Sequence, residues 1–142
     1  MLSLIADVGG TNTRLAWAKG NTFEQVKIVP TAAATNFLDI VDDYLQERRV
    51  VDAEIHAAFA VAGPVRDGEA RLTNEAVSIS ASELHSRFGF ANVAILNDFA
   101  ALAYALPHLS GAHCLQVGGG QARLDEPKLV LGPGTGFGTS LW

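Results

Sequence analysis

Residues 2–19 read LSLIADVGGTNTRLAWAK. Two strand-length runs, Leu2 to Val8 and Thr13 to Lys19, flank the tetrapeptide Gly9-Gly10-Thr11-Asn12. Glycine and asparagine accept the backbone angles of a tight reversal, so the two runs are expected to close into a β-hairpin. A third run, Thr22 to Val29, is rich in β-branched and aromatic residues and stops at Pro30, which cannot donate to a ladder. The opening therefore reads as three consecutive antiparallel strands.

Working outward, the period of the pattern changes. Phe37, Ile40, Val41, Tyr44 and Leu45 recur at i, i+3, i+4, i+7 and i+8, one face of a helix over Asn36 to Arg49. Asn36 or Thr35 can cap it, while Asp39 and Arg48-Arg49 suit the two ends of its dipole. Glu54 to Gly63, EIHAAFAVAG, is nearly continuous in apolar residues and predicts a central strand buried on both faces. Pro64 to Asn74 reads as an exposed ribbon. Ser80-x-x-Glu83 is a capping box opening a second helix to Phe88. Val93 to Leu96 predicts a buried strand and Phe99 to Leu106 a helix stopped by Pro107, with Asn97 and Asp98 at the junction.

Beyond Pro107 the sequence turns to Gly-rich loops around two expected short strands, Cys114 to Val117 and Leu129 to Leu131. Two strands cannot bury a core alone. The expected organisation is thus one α/β domain over residues 1–108, its mixed sheet running from three antiparallel strands into parallel strands and helices, and the opening of a second domain over 109–142.

The bulk numbers narrow the functions. The 142 residues, 49% hydrophobic and 18% charged, suit a folded soluble domain. Ten basic against fifteen acidic residues give a net charge of −5, and the only adjacent basic pair is Arg48-Arg49, so no nucleic-acid partner is expected. No apolar run approaches the roughly 18 residues of a membrane span, and no basic region marks a signal peptide. A single cysteine, Cys114 within CLQV, fits a reducing cytoplasm and is expected to act as a small buried hydrophobe. His56, His85, His108 and His113 show no zinc-ligand spacing.

Three motifs carry chemistry. Asp7-Val8-Gly9-Gly10-Thr11-Asn12 puts a carboxylate at a strand end before a glycine turn. Such a turn can aim backbone N–H groups at a phosphate, although the same residues also serve a plain hairpin. Gly132-Pro133-Gly134-Thr135-Gly136-Phe137-Gly138 follows another strand. A dinucleotide fingerprint needs a helix directly after its glycines, whereas Phe137 to Trp142 is strand-like, so a second phosphate hairpin fits better. Asn97-Asp98 lies where a strand meets a helix, the edge at which open α/β sheets bind ligands. Asp98 can serve as N-cap, as the base for a substrate hydroxyl, or as both.

In this order, DVGGTNTRLA, AVAGPV followed by LTN, ILNDFAALAYALP and GPGTGFG closely resemble the bacterial glucokinase family of the hexokinase/actin-like superfold over essentially the whole chain. The resemblance implies a ribonuclease H-like small lobe over 1–108, and a start of the large lobe over 109–142. It further implies transfer of phosphate from ATP, with Mg2+, to the 6-hydroxyl of glucose in the cleft between lobes. Ala6, Asp7, Val8, Gly9, Gly10 and Thr11 resemble the first phosphate loop, with Asp7 serving the metal. Gly134, Thr135 and Gly136 resemble the second. Asn97 would bind sugar hydroxyls, and Asp98 would be sugar ligand and catalytic base. Asn74 of LTN would line the sugar pocket, although Val77 stands where the family commonly has a Trp.

Family members are about twice this length, so the chain is expected to be an N-terminal portion whose remaining sugar ligands and adenosine motif follow residue 142. A homodimer stays open. So do a kinase for another hexose or amino sugar and a non-catalytic sugar-sensing module of the same fold.

Overall fold

The computed structural model describes residues 1–33, 36–48, 54–72, 77–121, 123, 125–133 and 137–142. They form two compact units, Met1–Asp98 and Phe99–Trp142. The first is built on a five-stranded sheet. Its opening hairpin pairs β1 (Leu2–Val8) with β2 (Asn12–Lys19), and β3 (Thr22–Pro30) adds antiparallel to β2. Helix α1 (Phe37–Glu47) then returns the chain so that β4 (Ile55–Val61) lies parallel to β1, and β8 (Asn92–Asn97) lies parallel to β4. The order is β3-β2-β1-β4-β8, a mixed sheet of the expected kind.

Alternation decides which face is covered. Leu4, Ala6 and Val8 of β1, Leu15 and Trp17 of β2, and Phe59 and Val61 of β4 point to one side and are buried against Phe37, Ile40, Val41 and Tyr44 of α1. Phe37 meets Phe59 edge to face at 5.7 Å. A strand buried on both faces was expected over Glu54 to Gly63. Instead Ala57, Phe59 and Val61 are buried, while His56, Ala58 and Ala60 are only half-covered. The apolar run reflects small alanines on the open face, where burial is partial, rather than a second covering layer.

The ribbon expected over Pro64 to Asn74 contains β5 (Val65–Arg66) and β6 (Glu69–Arg71), which join β7 (Ser78–Ser80) in a three-stranded antiparallel sheet. It is less exposed than its polar sequence implies, because Ala70, Leu72 and Ile79 join the core. Helix α2 (Ala81–Phe88) follows without the expected capping box. Ser80 occupies the cap position, but its Oγ pairs with Ser82 Oγ at 2.9 Å, so local hydroxyl pairing wins over the helix N–H groups. Gly89 closes α2 in the left-handed conformation at φ 68°, its N–H donating to the His85 carbonyl. At the end of α1 the helix stops at Glu47, with Arg48 as its cap residue and Asn36 Oδ1 accepting from Leu38 N–H at the other end.

The second unit contains helix α3 (Asp98–Ala105) from Phe99 onward, two 3₁₀ turns at Leu106–His108 and Gly111–His113, and the antiparallel hairpin of β9 (Leu129–Pro133) and β10 (Phe137–Leu141). The strand expected at Cys114–Val117 is absent. Among the described residues, 114–117 form no ladder with a neighbour, and Leu115 and Val117 are about nine-tenths exposed, at 89% and 90%. Cys114 is likewise exposed rather than buried. Among the described residues no helix is long and apolar enough to cross a membrane.

Candidate active site

Parallel pairing fixes the site before any side chain is considered. Val8 of β1 is in register with Val61 of β4, and Val61 with Asn97 of β8. The three parallel strands therefore release their chains at one edge, within two strand spacings of each other, roughly 10 Å. At that edge stand the Gly9–Asn12 turn, the Ala62–Gly63 segment and the Asn97-Asp98 junction. It is the carboxyl end of the parallel strands, where open α/β sheets place ligands.

The junction is wired to the middle segment. Asn97 Nδ2 donates to the Gly63 carbonyl at 3.1 Å and to Asp98 Oδ1 at 3.0 Å. Ala62 N–H in turn donates to the Val8 carbonyl at 2.9 Å, linking that segment to the first strand. Both Asn97 and Asp98 are half-buried, so the carboxylate is oriented but reachable. Asp98 is the first helical residue of α3.

At the turn, Gly9 N–H donates to the Asn12 carbonyl at 3.0 Å, closing the hairpin. Gly10 and Thr11 are exposed, whereas Ala6 and Val8 are buried and contribute backbone only. Asp7 projects from the open face and receives Arg14 Nη1 at 2.8 Å, both side chains about half exposed at 53% and 52%. The two residues are direct cross-strand partners. Arg14 was missed in the sequence, although a hairpin closed by residues 9–12 puts 7 opposite 14 by counting alone.

A divalent ion at this turn can be tested on the donor set. Asp7 offers hard carboxylate oxygen at a half-exposed position, and among the described residues no group of three Asp, Glu, His or Cys side chains converges to cage a metal. One carboxylate with phosphate oxygens and water is the environment Mg2+ accepts, so the residues fit an ion arriving with a nucleotide.

Asn74, Gly134, Thr135 and Gly136 lie outside the described residues. The ends of the second glycine cluster have a packing role of their own. Gly132 and Gly138 are cross-strand partners, and the Phe99 ring lies against both, so that a Cβ on Gly132 would stand 2.9 Å from Phe99 Cζ and one on Gly138 would collide with the ring. Phe99 follows Asp98 directly, and its ring packs α3 onto this hairpin.

Comparison with known proteins gives the chain its family context. The family profile described as Glucokinase matches residues 4–142. A protein of Burkholderia pseudomallei (strain 1710b) named bifunctional protein glk is 39% identical over 138 residues, which is 96% of this chain and 21% of that protein. The crystal structure of glucokinase from an Antarctic psychrotroph superposes with a TM-score of 0.86 at 34% identity, covering 99% of this chain and 45% of the other. Glucokinase from Balamuthia mandrillaris, solved in complex with glucose, gives 0.68 at 28% identity, with 99% and 44% covered. The chain thus spans less than half the length of each of these relatives. The architecture is the α/β, actin/hexokinase-like one.

Proposed function

We propose a function for a chain that belongs to the glucokinase family: within its complete protein it supplies the catalytic base and the first phosphate loop for ATP-dependent phosphorylation of glucose to glucose 6-phosphate. The observation that carries the proposal is the Gly63–Asn97–Asp98 arrangement, a half-buried carboxylate held by a neighbouring amide at the carboxyl edge of the parallel strands.

Asp98 accepts the proton of the sugar 6-hydroxyl as that oxygen attacks the terminal phosphorus of ATP and the bond from that phosphorus to the bridging oxygen breaks, releasing ADP. Asn97 holds the carboxylate in place and contributes to sugar binding. N–H groups of the Gly9–Asn12 turn bind phosphate oxygens, and Asp7 would hold Mg2+, which when bound neutralises phosphate charge. Phosphoryl transfer passes through a loose transition state that requires mainly positioning and charge neutralisation, so these few groups suffice as this chain's share. General-base assistance is worth about 10²- to 10⁴-fold, roughly 3–5 kcal/mol of barrier. Asn74, Gly134, Thr135 and Gly136 enter this reading on resemblance alone. We further read 1–108 as the small lobe, 109–142 as the start of the large one, and the cytoplasm as the working compartment.

The test is a coupled assay of the complete protein with ATP, Mg2+ and a panel of glucose, mannose, fructose and glucosamine. Glucose is expected to give the highest kcat/KM. A preference for another sugar would move the assignment to that substrate, and binding of glucose without turnover would make the protein a sensor.

A further inference from the structure

The Gly9–Asn12 turn is held from beneath by a residue that belongs to none of the motifs. Thr31, 1% exposed, begins the 3₁₀ turn Thr31–Ala33 directly after Pro30. Its Oγ1 donates to the Gly9 carbonyl at 2.6 Å, and its backbone N–H donates to the Thr11 carbonyl at 2.9 Å. Behind it the fully buried Thr13 places its Oγ1 3.1 Å from Thr31 Oγ1. Each hydroxyl has one proton, and that of Thr31 is committed to Gly9. Thr13 is therefore the donor to Thr31, and a directed chain runs from Thr13 through Thr31 to the Gly9 carbonyl. In a dry interior such chains strengthen each member.

The consequence follows from peptide geometry. In a planar trans peptide the carbonyl and the N–H of the next residue point in opposite directions. Drawing the Gly9 carbonyl down to Thr31 turns the Gly10 N–H away from the core, and drawing the Thr11 carbonyl down does the same for the Asn12 N–H. Gly9's own N–H is used within the turn, on the Asn12 carbonyl. We propose that Thr31, backed by Thr13, is a positioning residue that locks the Gly9 and Thr11 carbonyls inward and so presents the Gly10 and Asn12 N–H groups to a nucleotide phosphate. The inference rests on the reading of this turn as a phosphate loop.

Thr31→Val keeps the shape and the backbone donor and deletes the hydroxyl, while Thr31→Ser keeps the hydroxyl. In the complete protein at 25 °C, Thr31→Val is expected to weaken binding of a non-hydrolysable ATP analogue by about tenfold or more, the order of effect of losing one well-aligned hydrogen bond to a charged group. Glucose affinity, followed by intrinsic fluorescence, should stay unchanged, and Thr31→Ser should restore analogue affinity to within about threefold. A lower Tm with unchanged analogue affinity would overturn the proposal and leave Thr31 a buried structural hydroxyl. Equal losses for analogue and glucose would overturn it too. Should Thr31→Val fail to fold, Thr13→Val removes only the rear donor and must shift analogue affinity in the same direction. If the unsubstituted protein binds the analogue without phosphorylating glucose, the functional reading fails while the positioning role is still measured. If it does not bind the analogue, both fail.

Discussion

The proposed function gives Asp98 two duties that one substitution separates. As the first residue of α3 it complements the helix dipole, and as a half-buried carboxylate held by Asn97 Nδ2 it is placed to accept a proton. Asp98→Asn keeps the size and removes the charge, whose dipole term is worth up to about 1 kcal/mol. In the complete protein turnover is expected to fall at least about 10²-fold while Tm drops by only a few degrees. Near-normal turnover after Asp98→Asn would reduce Asp98 to a helix-start residue. The pair itself was legible as a strand-to-helix junction, because residue type and period change together there. The Gly63 carbonyl that anchors Asn97 was not, since a backbone acceptor 34 residues away leaves no trace in side-chain identity. The Asp7–Arg14 pair lay between these cases, hidden only until the hairpin register is counted.

At the scale of elements, two glycines look alike in sequence and differ in the cause of their need. Gly89 ends α2 at φ 68° with open space where a Cβ would stand. Gly89→Ala is therefore expected to cost only the left-handed backbone term, about 1–2 kcal/mol, without affecting turnover. Gly63 has an ordinary φ, but a Cβ there would collide with the Arg71 carbonyl of β6, so Gly63→Ala must push backbone apart. That overpacking is expected to cost about 1–3 kcal/mol in urea denaturation. Because the Gly63 carbonyl holds Asn97, it should also lower kcat in a way that largely disappears in an Asn97→Ala background. Independent, multiplying effects would show that Gly63 acts on stability alone. The strands and helices were readable because their periods of 2 and 3.6 leave a direct imprint on sequence. Residues 114–117 misled because apolar content without a pairing partner does not make a strand, and Ser80 because a nearby hydroxyl competed for its side chain.

For the whole molecule, the question is how much of a kinase 142 residues of this sequence supply. The first unit alone brings the Gly9–Asn12 turn, the Gly63 carbonyl and the Asn97-Asp98 pair to one sheet edge. Yet the chain spans 45% of the psychrotroph glucokinase, so these residues by themselves lack any sugar and nucleotide contacts that the rest of such a protein makes. Binding energy from remote parts of the two substrates is what orients the reacting atoms, so losing those contacts lowers turnover as well as affinity. Lobe closure, which excludes water from the transferring phosphoryl group, also needs the opposing lobe. A 142-residue polypeptide of this sequence, produced by itself, is therefore expected to be catalytically silent with ATP, Mg2+ and glucose. The check is formation of glucose 6-phosphate through a coupled dehydrogenase, measured beside a full-length glucokinase at equal molar concentration. Turnover within about tenfold of that control would mean that this polypeptide assembles a whole site, and dilution would then reveal whether self-association supplies the missing half.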